Sequence, residues 1–256
     1  MWRGVATWFS GSCEVLFPRE CLVCTRPLRG YSLCHKCHPP RFTPTSHRCL
    51  RCFGPIAYSS DLEPCATCAT FPPPTERMRY LWEYGDLARD FIRVMKYHPS
   101  VYLTRYAATM LAEAMPLLFE KSDWDLMLPI PSSPEMLAKR AFHPCHEMAR
   151  ALRRSLPHCE VSHALRHTRK RTPQARRTHT ERLEGLRGLF TVKNPTQILG
   201  KRVLILEDVI TTGATIAAAS HALRGAGAGS VDVLALAQAR VWSRFRGRLH
   251  KLFEVS

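Results

Sequence analysis

Val203-Leu204-Ile205-Leu206-Glu207-Asp208-Val209-Ile210-Thr211-Thr212-Gly213-Ala214-Thr215 is the stretch on which the reading of this chain turns. Its four leading apolar residues predict a short strand buried on both faces. Two carboxylates end that strand, and Thr-Thr-Gly then turns the chain into an alanine-rich helix expected over residues 216 to 223. Such a strand, loop and helix aim backbone N–H groups and the positive end of a helix dipole at one spot, which suits a phosphate. The hydroxyls of Thr211, Thr212 and Thr215 add donors, and Glu207 and Asp208 lie one loop away, where they would accept hydrogen bonds from sugar hydroxyls. Phosphate at one end and diol at the other describe a ribose 5-phosphate. A plain buried strand with a capped helix would also show a Thr-Gly turn, but paired carboxylates at a strand end are costly unless they bind something.

Working outward, the 256 residues are 45% hydrophobic, enough for one large domain or a domain with a small module. The charge is unusual: 37 basic against 21 acidic residues leave a net +16. That excess points to polyanionic partners, nucleic acid or phosphorylated ligands, with simple colloidal solubility as the plainer account. No run reaches the roughly 18 apolar residues of a membrane span, and residues 1 to 9 lack a signal-peptide core. The chain reads as cytoplasmic, and eleven cysteines in a reducing compartment argue for metal rather than disulfides.

Eight of those cysteines form four C-x-x-C pairs: Cys21 and Cys24, Cys34 and Cys37, Cys49 and Cys52, Cys65 and Cys68. Each pair makes a tight knuckle, and two knuckles complete a tetrahedral zinc site, so two Zn2+ ions are expected. Gaps of 9 residues between Cys24 and Cys34 and 12 between Cys52 and Cys65 favour consecutive pairing, with a crossed arrangement left open. Modules this small owe their folding to the metal. His35, His38 and His47 read as bystanders, and Cys13, Cys145 and Cys159 as isolated, buried or inert thiols.

Residues 1 to 17 carry Trp2, Val5, Trp8, Phe9 and Leu16 at roughly helical spacing, a docking helix. Phe71-Pro72-Pro73-Pro74 reads as a stiff linker, placing an N-terminal helix and double zinc ribbon in 1–71 and the main domain in 72–256. Beyond it come a strand-like aromatic run at 80–84, an amphipathic helix ending at Lys96-Tyr97, and a second helix over about 101–118. Residues 125 to 130 predict a strand running into the Pro131-Ser132-Ser133 loop, then one helix from 135 to 156, a second anion-binding geometry with Lys139 and Arg140 in its first turns. Further strands are expected near 188–192 and 231–237, and strands alternating with helices make a parallel-sheet α/β domain with its ligand crevice at the carboxyl ends of the strands. From Arg166 to Arg187, eight Lys/Arg against two Glu read as a long mobile loop, and residues 240 to 251 as a basic helix with one apolar edge.

The opening stretch resembles, continuously over 13 residues, the PRPP-binding motif of type I phosphoribosyltransferases. The whole chain resembles the ComF family, in which a double zinc ribbon precedes a type I phosphoribosyltransferase-like domain. The landmarks are the four C-x-x-C pairs, Lys96-Tyr97, Leu128-Pro129-Ile130-Pro131, Arg140 with Phe142, Arg171-Thr172 with Gln174, Arg182, Phe190 and residues 207 to 215. The resemblance implies that Glu207 and Asp208 hold the ribose hydroxyls and that Thr211, Thr212, Gly213, Ala214 and Thr215 wrap the 5-phosphate. It offers Ser132, Lys139, Arg140, Lys96, Arg171 and Gln174 as pyrophosphate or flexible-loop residues. Implied with these are Mg2+ bound with PRPP, a role in natural transformation, and partners in single-stranded DNA and in a DNA-uptake helicase or other competence proteins. Transfer of the phosphoribosyl group to an unidentified acceptor is the alternative. Two departures stand out. The family's Gly-Phe-Asn-Gln after Arg140 is here Ala141-Phe142-His143-Pro144. At Thr211 purine-type members carry a carboxylate, and a hydroxyl cannot do that acid/base work.

Overall fold

The computed structural model describes residues 19–28, 33–43, 47–56, 64–97, 101–140, 142–168, 186, 188–239 and 247. In chain order, β1 (Arg19–Glu20), β2 (Pro27–Leu28) and α1 (Ala66–Thr70) belong to the cysteine-rich region. Then follow β3 (Met78–Glu83), α2 (Asp86–Tyr97), α3 (Val101–Leu118), β4 (Leu126–Pro129), α4 (Pro134–Arg140) and α5 (Pro144–Leu152). The last described elements are β5 (Glu160–Val161), β6 (Leu165–His167), β7 (Phe190–Val192), β8 (Arg202–Ile210), α6 (Ala214–Gly225) and β9 (Ser230–Gln238).

Five strands make one parallel sheet in the order β3-β9-β8-β4-β5, so β8 sits at its centre. Burial on both faces explains the unbroken apolar run of Val203 to Leu206, since successive side chains point to opposite sides. Leu204 and Leu206 join Phe91, Met95, Leu111 and Met148 of α2, α3 and α5 on one face. Val203 and Ile205 join Ile216, Ala217 and Leu223 of α6 on the other. The alanines of α6 let it lie close against the sheet.

Three expectations need correction. β8 does not stop at the carboxylates: Val209 and Ile210 still pair with Ala237 and Gln238 of β9, so Glu207 and Asp208 lie within the strand's last pairings. The single helix expected over 135–156 is two, followed by a 3-10 turn at Arg153–Ser155. Pro144 is the cause: it disfavours helical backbone at the residue before it, and His143 there is extended at φ −121° and ψ 91°. The strand near 188–192 is β7, but it pairs antiparallel with β6 outside the sheet. The sheet's fifth strand is instead the two-residue β5, too short to announce itself in sequence. Residues 1–17, most of 166–187 including Arg171, Thr172, Gln174 and Arg182, and nearly all of 240–251 fall outside the described residues, as do the side chains of Lys139 and Arg140.

The cysteine-rich region docks on β3 at the sheet edge. Met78 N–H donates to Arg51 O at 2.7 Å, and the Tyr80 hydroxyl to Phe53 O at 3.0 Å. Arg79, only 7% exposed, donates to the carbonyls of Leu50 (2.8 Å), Leu118 (2.7 Å) and Met78 (2.9 Å). On β9, the buried Asp232 accepts from Arg77 N (3.0 Å), Arg77 Nη2 (2.5 Å) and Trp124 Nε1 (2.8 Å). Asp232→Ala strands the donors of Arg77 and Trp124, and chemical denaturation should show a loss of about 3 kcal/mol. A loss below about 1 kcal/mol would mean that solvent already satisfies them.

Candidate functional site

Asp208 lies 8% exposed at the carboxyl end of the central strand. The Lys96 ammonium, from the last turn of α2, reaches its Oδ1 at 2.6 Å. Burial works against charge on Lys96, but the Asp208 carboxylate outweighs it and holds the ammonium above its ordinary value. Glu207 folds back so that its Oε1 accepts from Asp208 N–H at 3.0 Å and lies 3.7 Å from the Cys145 thiol. Burial, then the charge of Asp208, pushes the Glu207 carboxyl up to about 8. Cys145, at the start of α5, is pushed up by burial and by the two carboxylates, so it stays a thiol and a neutral donor. The ligand atoms of Cys145, Glu207 and Asp208 lie within 4.8 Å of one another. Lys96 already supplies the positive charge that such a cluster requires.

The loop after β8 turns at Gly213, whose φ of 76° lies in the left-handed region that a Cβ disfavours. Thr212 Oγ1 accepts weakly from Ala214 N–H at 3.4 Å, and Gly213 O from Ala217 N–H at 2.8 Å. The first N–H groups of the twelve-residue α6 have no intrahelical acceptor, and they begin here beside Thr215. Acid pair and amide-lined turn thus share one end of the sheet.

Beside them runs the loop after β4, fixed to β8 by Ile130 N–H donating to Leu206 O at 3.0 Å. Ser132 N–H donates to His143 Nε2 at 2.8 Å. The imidazole thereby occupies the Ser132 N–H. His143 stacks on His146 at 3.6 Å between ring centres, and burial, then the neighbouring His143 and His163, lower His146 to about 3. Lys96 thus lies at the Asp208 carboxylate, and Ser132 is engaged by His143. The contact of Cys145 with Glu207 has no sequence signal beyond the place of Cys145 on the inward face of an amphipathic helix.

The eight paired cysteines gather in two clusters, Cys21, Cys24, Cys34, Cys37 and Cys49, Cys52, Cys65, Cys68, so consecutive knuckles come together. Sulfur separations are 3.7 Å for Cys24 and Cys34, 3.5 Å for Cys49 and Cys68, and 3.8 Å for Cys52 and Cys65. A tetrahedron with Zn–S near 2.3 Å has edges of about 3.8 Å, whereas a disulfide is about 2.05 Å. Cys34 N–H donates to Cys21 Sγ at 3.4 Å, and Cys65 N–H to Cys49 Sγ at 3.2 Å. Burial opposes ionisation of Cys21, but the backbone N–H groups of Cys34, Cys24 and Val23 win and bring it down to about 6, while burial and the surrounding sulfurs raise Cys37. Four sulfurs this close cannot all ionise without a cation among them, and this donor set fits Zn2+.

Residues 137–248 match the phosphoribosyl transferase domain family. With the parallel sheet, this defines the class: an α/β fold of the phosphoribosyltransferase type, preceded by a region of two four-cysteine clusters. The DNA utilization protein YhgH of Escherichia coli K12 is 27% identical over 228 residues, covering 86% of this chain and 96% of that protein. The protein of the same name from Salmonella typhimurium LT2 is 25% identical over 226 residues, with the same coverage. The similarity to these relatives thus runs along most of the chain. Among solved structures, the Bacillus subtilis glutamine PRPP amidotransferase with ADP and GMP is 21% identical at a TM-score of 0.36. That alignment covers 52% of this chain and 25% of the enzyme. Adenine phosphoribosyltransferase from Saccharomyces cerevisiae is 16% identical at a TM-score of 0.33, covering 64% and 80% respectively. Among the described residues no helix is long and apolar enough to cross a membrane.

Proposed function

We propose that this chain binds PRPP with Mg2+ and takes part in the handling of single-stranded DNA during natural transformation. The observation that carries the sugar half is Asp208, charged and held by Lys96, standing beside Glu207 and ahead of the amide-lined turn at Gly213. In this reading Glu207 and Asp208 accept from the ribose hydroxyls, and the 211–215 loop holds the 5-phosphate. Mg2+ arrives on the diphosphate, whose charge it neutralises. Lys139 and Arg140 in α4, with Arg171 and Gln174, belong to the diphosphate side. Zn2+ occupies both cysteine clusters and holds a basic surface together. The DNA half is supported by the net charge of +16 and by the YhgH relatives.

The second reading is a working transferase, favoured by the complete set of acid pair, turn and lysine. There the C1–oxygen bond breaks, its electrons leave with the diphosphate, and an unidentified nucleophile attacks the sugar; Thr211 argues against a purine acceptor. Two titrations test the assignment: PRPP with Mg2+, and single-stranded DNA across a salt series. No heat of PRPP binding removes the sugar half, and salt-insensitive or absent DNA binding removes the other. Diphosphate release on adding candidate acceptors separates the two readings.

The raised Glu207 carboxyl fixes a pH signature. The stability it contributes is present in full below its ordinary value of 4.5 and is lost as pH rises through about 8. Binding runs the other way, because the ionised carboxylate is the better acceptor for the diol. PRPP affinity should climb as pH approaches about 8 and then level, whereas Glu207→Gln keeps only the titration of the ligand's own phosphates. Parallel profiles for the two proteins would contradict the diol role of Glu207.

A further inference from the structure

A second concave feature lies between the cysteine-rich region and the sheet. It is a cavity of about 580 Å3, walled on one side by Phe42 and Arg41 and on the other by Trp82, Glu83 and the first turn of α2. Its size falls within the range of about 300–1,000 Å3 typical of small-molecule sites. Trp82 is fixed there by its indole N–H donating to Pro40 O at 3.1 Å. The two carboxylates at the rim are balanced, Glu83 by Arg48 at 3.0 Å and Asp86 by Arg89 at 3.0 Å. The exposed Arg41 therefore leaves the mouth positive.

Position makes the cavity more than a gap between modules. Glu83 pairs with Gln238, which pairs with Ile210, two residues beyond Asp208. Cavity and acid pair therefore open at the same end of the sheet, two strands apart, or about 10 Å across. Helix α2 joins them: Ala88 lines the cavity, and Lys96, eight residues or about 12 Å along the helix, holds Asp208.

We propose that this cavity is a nucleobase slot. A flat heterocycle lies against Phe42, with the nearly buried Trp82 behind it, its ring or exocyclic N–H groups reach Glu83 or Asp86, and an attached phosphate meets Arg41. Nothing in the cysteine clusters or the acid pair needs such a recess. Aromatic walls under a cationic rim are what an unstacked base with its phosphate demands. The base comes either from a single strand or from a free nucleoside, and the inference rests on the DNA reading above only for the first source.

The test uses the full-length protein with its metal and an oligothymidylate of about 12 nucleotides, against an abasic strand of equal length and charge. Fluorescence anisotropy at one salt concentration should show the base-bearing strand binding about tenfold tighter or more, the range that stacking one or two bases supports. Phe42→Ala should bring it down to the abasic level. Gly85→Phe fills the mouth from a position where a Cβ meets nothing closer than Glu83 O at 4.0 Å, and should do the same. Neither substitution should change abasic binding or PRPP affinity. Thymidine and adenosine, followed by saturation-transfer NMR, form the second arm. Nucleoside binding that Gly85→Phe abolishes, with no strand binding at all, would keep the slot and remove the DNA reading. Equal affinity for both strands, together with nucleoside binding absent or indifferent to Gly85→Phe, overturns the proposal.

Discussion

Asp208→Asn is expected to weaken PRPP binding by about 100-fold or more, while the protein's zinc content stays unchanged. Each charge-assisted hydrogen bond to the diol is worth roughly 1.5–3 kcal/mol, and the loss of about 3 kcal/mol corresponds to about 100-fold. A competing effect runs the other way. Without its carboxylate partner at 2.6 Å, the Lys96 ammonium becomes an unpaired charge beside a polyanionic ligand. Lys96 is largely enclosed, however, and an ammonium without a counterion sheds its proton more readily, so the gain is the smaller term. Lys96→Met measures it separately: on the wild-type background it should weaken PRPP binding, and on the Asp208→Asn background it should change little. Calorimetric titration of the four proteins closes the cycle. Normal binding by Asp208→Asn would show that the sugar hydroxyls are held elsewhere.

Stripping the metal should have the larger structural effect. Binding free energies for four-cysteine sites are on the order of 10 kcal/mol, and folding of modules this small depends on them. A chelator, or Cys49→Ser with Cys52→Ser, should make the region up to residue 70 protease-sensitive and change its circular dichroism. The damage should also reach the main domain. The buried guanidinium of Arg79 then loses the Leu50 carbonyl, and Tyr80 loses Phe53 O. A shift in the main melting transition of several degrees reads that coupling. Unchanged spectrum and unchanged protease resistance after complete metal removal would contradict the zinc assignment.

How much of this was legible in sequence follows from the range of each signal. The strand at 203–206, the turn at Gly213 and the helix behind it were readable because local patterning dictates them. The cysteine pairs were readable because chelation needs fixed spacing. What escaped depends on distant partners. That β8 continues to Ile210 follows from pairing with β9, which the hydrophobic run does not reveal. That β7 leaves the sheet follows from its pairing with β6. The break at His143 was in principle visible, since Pro144 announces it, but the apolar periodicity on either side read as one helix. Lys96 and Cys145 reach Glu207 and Asp208 from helices 112 and 63 residues earlier in the chain than Asp208, and only the packing of α2 and α5 brings them there.

The strand order carries a consequence for biosynthesis. β9, the last strand among the described residues, is wedged between β3 and β8. As the ribosome delivers the chain, the cysteine region can close on metal early, yet β3, its landing strip, has no partner strand among the described residues of the sheet until residues 230 to 238 emerge. Arg77 and Asp232, separated by 155 positions, meet only at that moment. Sheet completion is therefore a late, long-range event, and chains released before residue 230 would expose two open strand edges to self-association.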